Sequence, residues 1–353
     1  MKKAQIVGAT GYGGLGMTEL LLRHPQIEIT SLLATQDVGK PISDVYPHLR
    51  GFCDMTVEAA GEESVGRDAD IVVFATPDGV GQSYARALLD RGLSVIDYSG
   101  DFRFGSTEQY AEYSSRHPSV GGKPHVAPDL LEQSVYGVPE LNRERLRGAR
   151  LVGNPGCFAV SMVLGLAPAA AQGLIEPDGI VVDGKTGISG AGKKPGPGYH
   201  FPSANENVTP YRIGNHQHRI ETEMTIGALM ESPIDLSFVP HLVPVTRGIL
   251  CTIYARLREP LAAGEVQAAY ERFYAEEPFV RVLPPGASPG LGSVRGSNLC
   301  DISITTYPEQ RRVIIASSID NLLKGQAGVA LQNMNLMLGF PETTGLERVP
   351  IYP

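Results

Sequence analysis

The sequence predicts an α/β protein of two domains. A Rossmann domain with a doubly wound parallel sheet comes first, then an α+β catalytic and oligomerisation domain with a mixed or antiparallel sheet. Three observations predict this. A glycine-rich turn, Gly8-Ala9-Thr10-Gly11-Tyr12-Gly13-Gly14, separates the first strand-like run from the first helix-like one. Strand-length apolar runs then alternate with helical periodicity to about residue 97, the signature of a parallel sheet. Past residue 178 the apolar period changes to two, as in a sheet with one packed and one wetter face. The 353 residues suit about two domains. Boundaries are expected at 1–153 and 154–319, with a helix within about 320–353 returning to the first domain.

Residues 4–7 read as the first strand, and Met17, Leu20, Leu21 and His24 line one face of the helix that follows. A G-x-x-G-x-x-G turn there lets the backbone approach a pyrophosphate while the helix N-terminus meets its charge. Gly8, Thr10, Gly11, Tyr12, Gly13 and Gly14 are therefore assigned to a dinucleotide. The strand at 27–34 leads into Thr35-Gln36-Asp37, where an acidic residue would bind the 2'-hydroxyl of NAD. Thr35 takes that place. A neutral strand end with Lys40 nearby favours NADP, while Asp37 keeps NAD open. Strands at 70–75 and 93–97 flank a helix at 80–91. The loops after these strands, with Thr76, Pro77 and Ser99, fall on the ligand-binding edge of such a sheet. Arg103 is a candidate for an anionic substrate; the other reading is a solvated side chain or an ion pair with Asp101.

Gly153-Asn154-Pro155-Gly156-Cys157-Phe158 is a tight turn that delivers a cysteine to the start of the apolar run 159–171. A helix opening there would aim its unpaired N–H groups at the sulfur and raise the thiolate fraction, making Cys157 a candidate nucleophile. Asn154 in the same turn is a candidate substrate contact. Strands are expected at 179–183, 249–257, 302–306 and 313–316, and helices at 158–171, 264–276 and 322–338.

Gly187-Ile188-Ser189-Gly190-Ala191-Gly192-Lys193 matches most of a Walker A pattern. Lys194 stands where Ser or Thr is required, and Pro195-Gly196-Pro197 forbids the helix that should follow, so a P-loop is rejected. The backbone around Ser189 and Gly190 is still able to cradle a phosphate of substrate or cofactor. Tyr211-Arg212-Ile213-Gly214-Asn215-His216-Gln217-His218 brings two histidines together, with Glu221 and Glu223 beyond. The spacing matches no strong zinc signature, and no metal is expected. A histidine beside Cys157 would serve as acid and base.

A net charge of −8 argues against a nucleic-acid surface or a basic membrane face. No run reaches the roughly 20 apolar residues of a bilayer span, and Met1-Lys2-Lys3 enters the first strand without a leader-like segment, so a cytoplasmic protein is expected. Cys53, Cys157, Cys251 and Cys300 contain no C-x-x-C pair, and neither a zinc site nor a disulfide framework is expected.

A nicotinamide loop, a cysteine at a helix start and a His-rich segment together suit reduction of an activated acyl group through a thioester. Over essentially its full length the chain resembles the N-acetyl-gamma-glutamyl-phosphate reductase family, within the aspartate-semialdehyde dehydrogenase-like group. The resemblance rests on Gly8 to Gly14, Tyr136-Gly137-Val138-Pro139-Glu140-Leu141-Asn142, Asn154-Pro155-Gly156-Cys157, Gly187 to Lys193, Pro240 to Leu250, Asn333-Met334-Asn335-Leu336 and Glu342-Thr343-Thr344-Gly345-Leu346. It implies an NADPH-dependent enzyme of arginine biosynthesis acting on a small acyl phosphate, with Cys157 as nucleophile and His218 as acid and base. It also implies His216 and Tyr211 near substrate and Asn321 near the nicotinamide. Three stretches depart from the family pattern. Phe158-Ala159-Val160 replaces Y-P-T after the cysteine, His216-Gln217-His218-Arg219-Ile220-Glu221 replaces H-R-H-T-P-E, and Thr35-Gln36 replaces Ser-Arg. A sister branch acting on carrier-protein-linked aminoadipyl or glutamyl phosphate is the alternative substrate class, and a redox sensor without turnover is the alternative from a different class. The two-faced second sheet suggests a homodimer or homotetramer.

Overall fold

The computed structural model describes residues 1–352. In chain order its elements begin β1 (Lys2–Val7), α1 (Tyr12–Leu21), β2 (Ile27–Ala34), α2 (Ile42–Val45), β3 (Val57–Ala59), β4 (Ile71–Phe74), α3 (Gly81–Asp90) and β5 (Ser94–Asp97). Next come α4 (Thr107–Arg116), β6 (Val135–Tyr136), α5 (Pro139–Leu146), β7 (Leu151–Gly153), α6 (Cys157–Ala171), β8 (Ile180–Gly187), α7 (Phe201–Ala204), β9 (Thr209–Pro210) and α8 (His218–Met230). The chain ends with β10 (Leu236–Val243), β11 (Ile249–Arg256), α9 (Ala263–Phe273), β12 (Val280–Val282), β13 (Cys300–Tyr307), β14 (Arg312–Ile319) and α10 (Gly328–Leu338). Two compact units form: Met1–Pro155 with Gln326–Glu347, and Gly156–Gly325 with the residues from Arg348 onward.

The first unit holds a seven-stranded sheet in the order β3-β2-β1-β4-β5-β7-β6, in which every pairing is parallel. All four residues of β4 are buried, as expected for a central strand covered on both faces. The chain winds outward in one direction through β2 and β3 and in the other through β4 and β5. The carboxyl ends of β1 and β4 therefore flank the point where an open α/β sheet binds its ligand.

The second unit holds another seven-stranded sheet, ordered β12-β13-β14-β11-β8-β10-β9. It is mixed: β10 with β8 and β12 with β13 are parallel, and the other pairs are antiparallel. Helix α6 is buried at thirteen of its fifteen residues, so it is apolar all round and carries no amphipathic stripe. Gly165 lets it approach β11; a Cβ there would stand 2.7 Å from Ile253 Cδ1. Along β11, Ile249, Cys251, Ile253 and Ala255 are buried while Tyr254 and Arg256 are exposed, which matches the period of two in the sequence.

Some expected bounds move. The helix expected at 322–338 starts as a π-helical turn, Leu323–Ala327, before α10. The last described residues group with the second unit, where Ile351 N donates to Arg295 O at 2.7 Å. Strand β8 extends to Gly187, four residues beyond its expected end. Strands β3, β6, β7, β9, β10 and β12 were not expected from the pattern.

Candidate active site

In the first unit the glycine-rich turn has the backbone its residues require. Gly8 has φ +87°, and a Cβ there would stand 2.3 Å from the Ala75 carbonyl oxygen at the end of β4. A Cβ on Gly14 would stand 2.3 Å from Gly8 O. Gly11 caps α1 without a side-chain hydrogen bond, so the first-turn N–H groups have no side-chain acceptor there. Beside this turn, Thr76 Oγ1 is buried without a hydrogen-bond partner. A glycine cradle, an uncapped helix N-terminus and an orphaned hydroxyl fit a dinucleotide phosphate. Thr10 O accepts from the Tyr46 hydroxyl at 2.8 Å, Tyr12 opens α1, and Gly13 faces Gln326 of the same unit. Thr35 is exposed immediately after β2, and Pro77 is exposed after β4. Lys40 Nζ donates to Asp37 Oδ1 at 2.8 Å, so the nearest cation already holds an anion.

Ser99 donates through its N–H, at 2.8 Å, and its hydroxyl to Asp97 Oδ1. Asp97 is wholly buried, with Oδ2 unpartnered; burial, then the Asp101 charge, pushes its carboxyl well above the usual range. Burial pushes Asp101 up to about 6 against the N–H groups of Gly79 and Gln82, which donate to it at 2.9 and 3.1 Å. Two candidates are held by neighbouring parts of the first unit. Arg103 is buried, and its guanidinium donates to the carbonyls of Asn154, at 2.7 Å, and Tyr98, so its side chain is not the solvated one. Asn154 is fully buried; its amide donates to Gln326 O at 3.1 Å and accepts from Asn333 Nδ2 at 3.3 Å. Its side chain thus fastens the end of β7 to Gln326 and to α10.

In the second unit Cys157 is the first residue of α6 and is half-buried. Gly156 caps the helix with φ −72° and ψ 145°, again without a side-chain cap. The dipole of this largely apolar helix therefore favours negative charge at this turn. His218 opens α8 and lies edge-on against the same turn: a Cβ on Gly156 would stand 2.3 Å from His218 Nε2 and 2.8 Å from Glu221 Oε1. Glu221, three residues on and so on the same face of α8, is fully buried and accepts the Gly156 N–H at 2.9 Å.

His216 is buried, and its Nδ1 accepts the His218 N–H at 3.2 Å. The two imidazoles meet at 4.7 Å between centroids, and Phe158, Phe238 and Tyr211 stand edge-on to His216 at 5.8, 5.2 and 5.7 Å. Burial, reinforced by Cys157, raises the Tyr211 phenol and keeps it protonated. Asn321 Oδ1 accepts the Gly248 N–H at 2.7 Å and its Nδ2 donates to Ser189 Oγ at 3.0 Å, so Asn321 fixes the short turn Ile188–Ala191 that carries Ser189 and Gly190. Asp320 beside it pairs with Arg247 at 3.1 Å. Glu221, Phe158 and Gly325 lie at this site, although none of them was assigned a binding or catalytic role from the sequence. The spacing of Glu221 from His218 is the one local signal that points to it.

Residues 3–149 match the NAD binding domain of semialdehyde dehydrogenases, and residues 157–321 match their dimerisation domain. The fold agrees with that class. Aspartate semialdehyde dehydrogenase II of Vibrio cholerae, complexed with ASA, superposes with a TM-score of 0.71 at 19% identity, covering 96% of this chain and 98% of that one. The Candida albicans aspartate semialdehyde dehydrogenase with NADP superposes with a TM-score of 0.64 at 19% identity, over 96% and 98%. Sequence relatives narrow the class. The N-acetyl-gamma-glutamyl-phosphate reductase of Desulforudis audaxviator is 44% identical over the whole of both chains, and that of Symbiobacterium thermophilum is 45% identical over 99% of this chain and 98% of its own. The chain belongs to the N-acetyl-gamma-glutamyl-phosphate reductase family. The resemblance carried by the motifs and the expected fold class are both borne out. No helix among the described residues is long and apolar enough to cross a membrane.

Proposed function

We propose that the chain reduces N-acetyl-gamma-glutamyl phosphate with NADPH to the semialdehyde and phosphate, with Cys157 as nucleophile and His218 as acid and base. The observation that carries this reading is the placement of His218 Nε2 against Gly156, at the turn that puts Cys157 on the first position of α6. The Cys157 thiolate attacks the acyl carbon, the carbon–oxygen bond to phosphate breaks, and phosphate leaves with the bonding pair. A thioester remains on Cys157. NADPH, when bound, supplies the two electrons that reduce this thioester, and Gly8, Gly11, Gly14 and Thr76 would hold its phosphates. His218 gives a proton to the carbonyl oxygen as negative charge grows there and takes it back as the carbon–sulfur bond breaks, returning the thiolate. Tyr211, which keeps its proton, and His216, packed between Tyr211 and His218, would orient the substrate.

The second unit also supports self-association, in line with its match to a dimerisation domain. Val181, Tyr254 and Tyr307 are exposed on sheet strands, and we assign that face to a second copy in a homodimer or homotetramer. The test of the activity is phosphate-dependent reduction of NADP by N-acetylglutamate semialdehyde, run beside a carrier-protein-linked substrate. Turnover of the free semialdehyde, abolished in Cys157→Ala with NADPH binding kept, is the expected result. Turnover of the carrier-linked compound alone overturns the substrate, and turnover by Cys157→Ala overturns the nucleophile.

A further inference from the structure

Two contacts hold the Cys157 turn from opposite directions, and neither follows from the catalytic roles above. On one side the fully buried Glu221 carboxylate accepts the N–H of Gly156 at 2.9 Å. On the other, the π-helical turn Leu323–Ala327 brings its own backbone against the nucleophile: a Cβ on Gly325 would stand 2.8 Å from Cys157 Cβ and 3.3 Å from Cys157 Cα. Contacts under 3 Å are not tolerated between carbon atoms, so only glycine fits this approach. The turn is wide because Gly325 N donates to Asp320 O, five residues back, at 2.9 Å. Its start is fixed in turn. Asp320 Oδ1 accepts from Leu322 N at 2.9 Å and Leu323 N at 3.1 Å, and Oδ2 accepts from Gly296 N at 2.8 Å.

We infer that Gly325 and Glu221 are positioning residues that clamp the Cys157 main chain and fix the direction in which its sulfur attacks. The inference rests on the reading of Cys157 as nucleophile. A helix-terminal cysteine held only by its own helix would share in the fraying of the first turn. The π-turn and the carboxylate remove that freedom, and a displacement of about 1 Å at a reacting atom costs on the order of 100-fold in rate.

The test uses the full chain and reads kcat, NADPH affinity and the pH profile of Cys157 alkylation by iodoacetamide; Cys53, Cys251 and Cys300 are buried, so alkylation of the folded protein reports Cys157. Gly325→Ala is expected to lower kcat at least about tenfold and to change the alkylation profile, with NADPH affinity kept. Glu221→Ala is expected to act in the same direction, and Glu221→Gln, which keeps an acceptor oxygen, to restore part of the loss. A folded Gly325→Ala or Glu221→Ala with wild-type kcat and alkylation profile overturns the clamp. If Gly325→Ala does not fold, the Glu221 pair decides the matter. Equal losses of NADPH binding and activity would also overturn it, since they mark general destabilisation. Cys157→Ala is run in parallel: activity there would sink the proposed function itself, whereas an inert Cys157→Ala beside unaffected clamp variants sinks the clamp alone.

Discussion

Replacing Gly156 by alanine tests the nucleophile's geometry with the least disturbance of anything else. The residue has φ −72° and ψ 145°, which alanine adopts freely, so the backbone itself is not strained. The added Cβ, however, would stand 2.3 Å from His218 Nε2, 2.4 Å from His218 Cδ2 and 2.8 Å from Glu221 Oε1. Relief to ordinary van der Waals contact requires roughly 1 Å of movement by the imidazole or by the turn, a displacement worth about 100-fold in rate, or about 2.7 kcal/mol in the barrier. Alanine is also the poorer N-cap, at about 1 kcal/mol of stability. The cofactor cradle lies in the other unit and gains no new contact. Steady-state kinetics of Gly156→Ala should therefore show kcat reduced about 100-fold, NADPH affinity unchanged and a melting temperature only a few degrees lower. A folded variant with wild-type kcat would show that the His218 edge need not stand where the structure places it, and the acid–base assignment would fall.

Three further outcomes follow from the first unit. Gly8→Ala puts a side chain at φ +87° and against Ala75 O, so NADPH affinity should fall at least about tenfold in a titration while Cys157 alkylation without cofactor stays at the wild-type rate. Asp37→Ala should release Lys40 from its 2.8 Å contact and raise the preference for NADPH over NADH about two- to fivefold in kcat/KM; an unchanged ratio would remove Lys40 from cofactor selection. Asp97 and Asp101 bind their protons more tightly folded than unfolded, so the stability they contribute is present below the ordinary value of 3.8 and is lost as pH rises through the folded values, which for Asp101 means through about 6. Asp97→Asn keeps the shape without the charge. Its melting temperature should gain on the wild type as pH rises from 5 to 8, and a constant difference across that range would refute the buried-acid reading.

The first sheet was largely legible because its central strands are continuous apolar runs bounded by glycine and turn residues. Ile71 to Phe74 is buried at every position, and such a run between two helical stretches has few other places to go. Strand β7 escaped notice because it is three residues long, and its apolar Leu151-Val152 is too short to show a period. Strand β10 escaped for a different reason: Pro240 lies within it and argues against a sheet interior. The structure accommodates the proline because β10 is bordered on its outer side only by the two-residue β9, whose partners are His241 and Leu242, so Pro240 needs no donor to a long neighbour.

At the site, sequence showed the element that a residue opens better than the side chains it meets. The helix that Cys157 opens was readable from local composition, since a Gly/Pro turn before a long apolar run permits little else. The hydrogen-bond partners of Asn154 were not, because Gln326 and Asn333 lie far away in the chain. Glu221 shows the same limit from the other direction. Its place in the first turn of α8 suits the helix dipole, a sufficient local explanation that conceals the bond to Gly156 across 65 residues of sequence. The contacts of the two glycines that frame Cys157 are hidden likewise: Gly156 reads only as part of the Gly/Pro turn, with an ordinary backbone conformation, and Gly325 carries no local sign of its neighbour. What they share is a missing Cβ where another chain segment passes, His218 at one and Cys157 itself at the other. The geometry of the proposed reaction is thus set as much by where side chains are absent as by the thiol and imidazole to which it is assigned.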